Sequence, residues 1–353
     1  MVQFPYNTKD FAFTLGSEYL QFSTDAEGTY FSVELQISYF DFYESSLKTK
    51  ILNYKIPLFQ KYQKFNISEI IHRYMSRIDD YSNFVPGFQY KTVTVTIICN
   101  ELGQIDGELI DTVILEGVKF IAGNKPYLFE NNTALLERNY HPCRVTSEGV
   151  VNVSFLLPEG SYLLLVYKNN VLQKSIEVVA DDKNNVYTIM VDVANFNGEQ
   201  GDCFKVKISE TNIFYEILVF PSTLYSTQLY FENEYNLLSA FQCTGGYYID
   251  EEYTRLKQKY REDFQEVLKI VDTTKEVALT INTGHVLKTD TISLDSLILN
   301  KRAWLVVSDT VYLCLVPLSK KIRTLDSGEE LFQFDLLFHI NNPTDAQNST
   351  YRF

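Results

Sequence analysis

The chain has 353 residues, 45% apolar and 22% charged, enough for two or three cores and too greasy for intrinsic disorder. Its net charge of −14, from 31 basic against 45 acidic residues, repels phosphate backbones and argues against generic nucleic-acid binding. Tyr and Phe number 25 each beside a single Trp, a balance that suits pleated sheet.

In chain order, strand signals come first. Phe31, Val33, Leu35, Ile37 and Tyr39 alternate with polar neighbours, the period of a half-buried strand. A second strand around Ile51 to Phe59 carries Pro57, which points to a sheet edge or a bulge. The period then changes. Asn66 and Glu69 have capping-box spacing, and Ile67, Ile70, Ile71, Tyr74, Met75 and Ile78 recur at helical intervals, so an amphipathic helix is expected over 66–78. His72 falls on its polar face and reads as solvated. Alternation returns at Val93, Val95, Ile97 and Cys99, and again over Asp111 to Ile121. Residues 1–121 are therefore expected to form a β-rich domain with one helix.

From 122 to 148 the periodicity fades and Gly, Asn and Pro accumulate, which predicts an extended connector. Its His141-Pro142-Cys143 run has too few ligands for a zinc site. Five short strand runs between Val151 and Ile208, parted by turn residues, predict an immunoglobulin-like sandwich over 149–220. The Asp181 to Asn185 loop lacks the alternating oxygen ligands of an EF-hand and reads as a hairpin turn. Residues 221–353 predict an α+β or barrel-like domain. Tyr253, Leu256, Tyr260, Phe264, Val267 and Val271 have helical spacing, although Tyr248 to Leu256 also suits a strand. A short helix is expected over Ser293 to Asn300 with Ser293 as its cap, then a hairpin of Trp304 to Val307 with Val311 to Leu318. The fold class is mainly β, in several domains.

Five widely spaced cysteines, Cys99, Cys143, Cys203, Cys243 and Cys314, read as reduced and structural. The amino terminus has no basic and apolar leader, and no apolar run approaches the roughly 20 residues of a membrane helix, so synthesis in a cytoplasm without membrane insertion is expected. No catalytic signature is present among the four histidines. His285, after a turn glycine and near Asp290, is the best-placed candidate and reads as a turn residue. Neither a cofactor nor a metal is expected. Tyr247 and Tyr248 after Gly245-Gly246, with the basic run Lys320, Lys321 and Arg323, are candidate interface residues. Tyrosines there also suit stacking on sugar rings, the alternative of a glycan- or receptor-binding adhesion module.

Several stretches in the last third resemble structural proteins of tailed bacteriophages, the crAss-like phages among them. They are Glu232-Asn233-Glu234-Tyr235-Asn236, Phe241-Gln242-Cys243-Thr244-Gly245, Asn282-Thr283-Gly284, Leu294 to Trp304, Val316-Pro317-Leu318 and Phe332-Gln333-Phe334-Asp335-Leu336. His285 stands where relatives carry Trp. The first segment is similar in outline, with a Phe-Asn-Ile-Ser helix start at Phe65 to Ser68, while the middle segment looks inserted. The resemblance implies a non-enzymatic subunit of a tail hub or baseplate ring in the virion. Its partners would be copies of itself and other tail proteins.

Overall fold

The computed structural model describes residues 2–5, 10–16, 19–24, 30–41, 44–58, 62–77, 84–103, 107–138, 140–262, 265–299, 302–308, 311–319 and 331–340, and strands dominate it. In the first domain the elements are β1 (Val2–Gln3), β2 (Phe11–Phe13), β3 (Leu20–Ser23), β4 (Tyr30–Asp41), β5 (Ser46–Pro57), β6 (Tyr62–Phe65), α1 (Ser68–His72), β7 (Gly87–Gln89), β8 (Thr92–Leu102) and β9 (Leu109–Ile121). A five-stranded sheet runs β2-β9-β8-β4-β5, and β1-β3-β6 form a small second sheet. Register makes the core. Val33 lies opposite Cys99, Leu35 opposite Ile97 and Ile37 opposite Val95, all buried, so each cross-strand pair is apolar. Leu20 and Phe22 of the small sheet close over this face, with the Phe22 and Phe31 rings 4.9 Å apart. Pro57 ends β5, an edge strand, where a missing N–H breaks no ladder.

The helix expected over 66–78 is much shorter. Ile67, Ile71 and Met75 do face the core, but α1 stops at His72 and the following amides bond three residues back. Three isoleucines in this short run restrict side-chain rotamers in a helix, and nothing caps its start in box fashion. Asn66 Oδ1 accepts from the Ser68 amide at 3.0 Å instead. His72 is half-buried, and its Nδ1 shares a 2.8 Å hydrogen bond with Thr14 Oγ1, so it does not sit on a solvated face.

The middle domain is a sandwich larger than the sequence suggests. Its strands are β10 (Phe129–Glu130), β11 (Thr133–Leu135), β12 (Cys143–Thr146), β13 (Val150–Leu156), β14 (Gly160–Lys168), β15 (Val171–Ala180), β16 (Val186–Asp192), β17 (Cys203–Ile208) and β18 (Phe214–Phe220). One sheet runs β10-β11-β13-β16-β7 and the other β12-β18-β17-β14-β15. Phe155, Val191, Phe204, Val206 and Ile217 fill the space between them. This strand order is immunoglobulin-like, with β11, β13 and β16 as A, B and E, and β18, β17 and β14 as G, F and C. Strand β12 runs parallel to β18. The place of strand D is taken by β7, borrowed from the first domain. The segment expected as a connector over 122–148 therefore supplies three strands. They are two to four residues long, too short for alternation to show. The Asp181 turn is closed by its own carboxylate, whose Oδ1 accepts from the Lys183 and Asn184 amides.

The last domain holds β19 (Thr227–Glu232), β20 (Leu238–Cys243), β21 (Tyr247–Glu262), β22 (Gln265–Asn282), β23 (Val286–Leu287), α2 (Thr291–Leu299), β24 (Ala303–Ser308), β25 (Val311–Pro317), β26 (Leu331–Phe332) and β27 (Asp335–Ile340). Seven strands form one antiparallel sheet in the order β20-β19-β24-β25-β27-β22-β21. Strands β20 and β21 stand at opposite edges, so the sheet is open and the barrel expectation is corrected to α+β. Leu294 and Leu297 of α2 pack on it. This helix starts two residues before Ser293, behind a tight turn in which Asp290 Oδ2 accepts from the Leu287 amide. The helical spacing from Tyr253 to Val271 is overruled. The described residues of this run lie in the β21–β22 hairpin, whose root is fixed by sheet pairing to β27.

Three domains meet at the turn from Glu232 to Asn236. Asn233 Oδ1 accepts from the Tyr235 and Leu237 amides, while its Nδ2 donates to the Leu136 carbonyl and Ser239 Oγ. Tyr235, 1% exposed, packs with Phe13 and Ile121 of the first domain and Leu156 and Val186 of the sandwich. Gly123 makes room for it: a Cβ there would stand 2.7 Å from the ring, and its φ of +92° already favours glycine.

Candidate functional site

Three of the resembling stretches, far apart in sequence, converge on one knot at the root of the β21–β22 hairpin. The Thr244 amide donates to the Thr283 carbonyl, and the Asn282 amide donates to the Gly246 carbonyl. Thr283 and Phe334 exchange two bonds, one through each backbone amide. Asn282 Oδ1 accepts from the Gly284 amide and from Gln333 Nε2, and its Nδ2 donates to Asp335 Oδ1 at 2.6 Å. The approach is close enough to require glycine, since a Cβ on Gly245 would stand 2.1 Å from Asn282 Oδ1. Gly245→Ala should therefore cost about 1–3 kcal/mol in urea unfolding, by forcing this knot apart.

What the knot holds is a ribbon. Strand β22 pairs with β27 from Ala278 to Asn282. Beyond that, β21 and β22 pair with each other alone among the described residues, from Glu251 opposite Val277 out to Glu262 opposite Gln265. At the usual rise per residue this ribbon reaches about 40 Å. An isolated two-stranded ribbon in water is only marginally stable, so it calls for a surface to lie on. It also carries exposed apolar side chains: Tyr253 at 52%, Leu256 at 63%, Leu268 at 53% and Ile270 at 47%. Arg255, Lys257 and Lys259 lie exposed along β21, on a hairpin that also carries Glu262, Glu266 and Asp272.

Of the expected interface residues, Tyr248 is exposed at the ribbon root. Tyr247 is half-buried against the last domain's core, and burial raises its hydroxyl pKa, so it is a packing residue and not an open platform. Lys320, Lys321 and Arg323 lie outside the described residues.

A second feature is a cleft of about 220 Å³ between the sandwich and the last domain. Arg144 of β12 crosses it to an ion pair with Asp290 and lies over the Phe220 ring. Gln228 clamps the start of β13 by accepting from the Val150 amide and donating to its carbonyl. Glu137 Oε1 accepts from Ser239 Oγ at 2.6 Å. Burial pushes the Glu137 carboxyl up to about 7 against that hydrogen bond, so it holds a proton into the neutral range. Burial and the nearby Glu137 push the Cys143 thiol up to about 12, despite a hydrogen bond from Tyr215, so at neutral pH it is a thiol and a poor nucleophile. His285 lines the cleft and is exposed, and Asp290 lines it too, occupied by Arg144 and the Leu287 amide. Among the described residues no group of three or more His, Cys, Asp or Glu is placed to hold a metal ion. No helix among them is long and apolar enough to cross a membrane.

Glu137 gives the fold a pH dependence. Its ordinary pKa of 4.5 rises to about 7 in the fold, so between those values the folded chain keeps a proton that the unfolded chain loses. The stabilisation is full below about 4.5 and is lost as pH rises through about 7, a change on the order of 3 kcal/mol. Melting curves from acid to mildly alkaline buffer should show this decline in the native chain. A Glu137→Gln variant should lack it.

Sequence reasoning quoted the knot residues but saw no cause for them, and it missed Glu137 and Arg144 altogether. No protein-family model matches the sequence, and no curated protein matches it. Solved structures similar over part of the chain include two calcium-binding domains. The calcium-binding domain CBD12 of CALX1.1 is 12% identical, with 59% of this chain and 79% of that one covered and a TM-score of 0.18. CBD12 from CALX1.2 is 12% identical, with 57% and 78% covered and a TM-score of 0.19. Likeness at that level says nothing of what this chain binds, and its immunoglobulin-like sandwich is assigned from strand order.

Proposed function

We propose that the chain is a non-enzymatic virion subunit of a tail hub or baseplate ring in a tailed bacteriophage, and that each copy lays its ribbon on the next. The ribbon carries this reading. It is long, two-stranded, dressed with exposed apolar side chains and rooted in a knot built from the residues that resemble phage structural proteins. Its exposed Arg255, Lys257 and Lys259 suit acidic patches on a second copy. Such a contact joins unlike patches on neighbouring copies, and repeated by rotation it closes a ring. Two long free edges, β5 with exposed Leu47 and Ile51 and β15 with exposed Val171, Leu172 and Val179, offer further contacts to other tail proteins. Native mass spectrometry of the whole chain should find multiples of 40.9 kDa, and its peptides should appear in purified particles. A monomer throughout the micromolar range, absent from particles, overturns the proposal.

A further inference from the structure

The cleft between the sandwich and the last domain encloses about 220 Å³, and its lining mixes paired charges, apolar walls and polar groups. Its charges cancel, because Arg144 is paired with Asp290 and Arg138 with Asp295 at 2.9 Å. Glu137 and the exposed His285 remain; burial holds the Glu137 carboxyl up to about 7, and neither arginine is left unpaired to face a charged ligand. Apolar walls come from Val145, Val151, Phe231 and Val286, while Gln242, Thr244 and Ser293 add polar groups from the last domain. Asn152, in the cleft wall and 3% exposed, has a buried Oδ1 without a hydrogen-bond partner. A buried acceptor in that state costs about 1–3 kcal/mol, which a donor entering the cleft would relieve once the side chain turns toward it. The volume lies below the roughly 300–1,000 Å³ of sites for drug-sized molecules.

We propose that this cleft binds one small, uncharged, hydroxyl-bearing ring of monosaccharide size, its apolar face on the valine and phenylalanine walls and its hydroxyls toward Asn152 and Glu137. The site meets the knot through Thr244 and Thr283 but not the ribbon beyond it, and does not depend on assembly. It gives the subunit a sugar-binding function beside its place in the ring.

Saturation-transfer NMR on the whole chain tests this with glucose, galactose, mannose and N-acetylglucosamine, each at millimolar concentration. At least one should receive saturation. Ala240→Leu and Ser293→Leu narrow the cleft from β20 and from α2, and circular dichroism reports whether each stays folded. Either should weaken binding about tenfold. The ribbon-shortened variant described below should bind the sugar as the native chain does, which separates failure of this site from failure of ring assembly. Silence across all four sugars overturns the proposal, and so does a signal that survives both narrowing substitutions.

Discussion

Replacing residues 253–275 by Asn-Gly should turn the proposed ring assembly into monomers while leaving the three domains folded. Glu252 and Glu276 face each other across the ribbon, so a two-residue turn joins them without shifting register below. The knot at Asn282 and the pairing of β22 with β27 lie nearer the root and stay intact. The excision removes Tyr253, Leu256, Leu268 and Ile270, each about half exposed or more, together with Arg255, Lys257 and Lys259. If these side chains are the main contact with the neighbouring copy, the solution mass falls to one subunit and the circular dichroism of the domains is kept. Reversing Arg255, Lys257 and Lys259 to Glu should have the same direction, and high salt should loosen the native assembly. An unchanged oligomer after excision would move the interface to the free edges of β5 and β15.

The second large effect is expected at the ion pair between β12 and the turn before α2. The Arg144 and Asp290 side chains are 18% and 8% exposed, so both charges have left most of their water. Arg144→Met strands the Asp290 carboxylate on its hydrogen bond from the Leu287 amide and should cost about 3–5 kcal/mol in urea unfolding. Adding Asp290→Asn removes the stranded charge while keeping an acceptor for that amide. The double variant should then recover to within about 1 kcal/mol of the native chain. A single variant as mild as a surface change would show that this pair is solvated and does not join the domains.

The elements that sequence alone reveals are those long enough to repeat. Strands β4 and β8 show several apolar alternations each, and burial follows them residue by residue. Strands β10, β11 and β12 have no room for a period, so their part of the sandwich read as a connector. The ribbon misled for another reason. Its apolar residues fall at helical intervals, yet pairing of β22 with β27 and a bulge beside Leu256 dictate an extended hairpin. Helical periodicity is a prior, and tertiary pairing overrides it. The cleft left no local trace, because Glu137, Arg144, Tyr215, Gln242 and Asp290 are drawn from distant parts of the chain. Asn233 and Asn282 were visible as motif letters, but their four- and three-bond knots exist only once strands from several elements arrive.

Strand β7 has a consequence for synthesis. It leaves the ribosome roughly a hundred residues ahead of β16, the strand it pairs with in the sandwich. At translation rates of about 5–20 residues per second, the nascent chain carries that unmatched edge for some 5–20 seconds. The sandwich cannot be cut out and grafted elsewhere as a self-sufficient cassette, because one of its strands is already spent in the preceding domain.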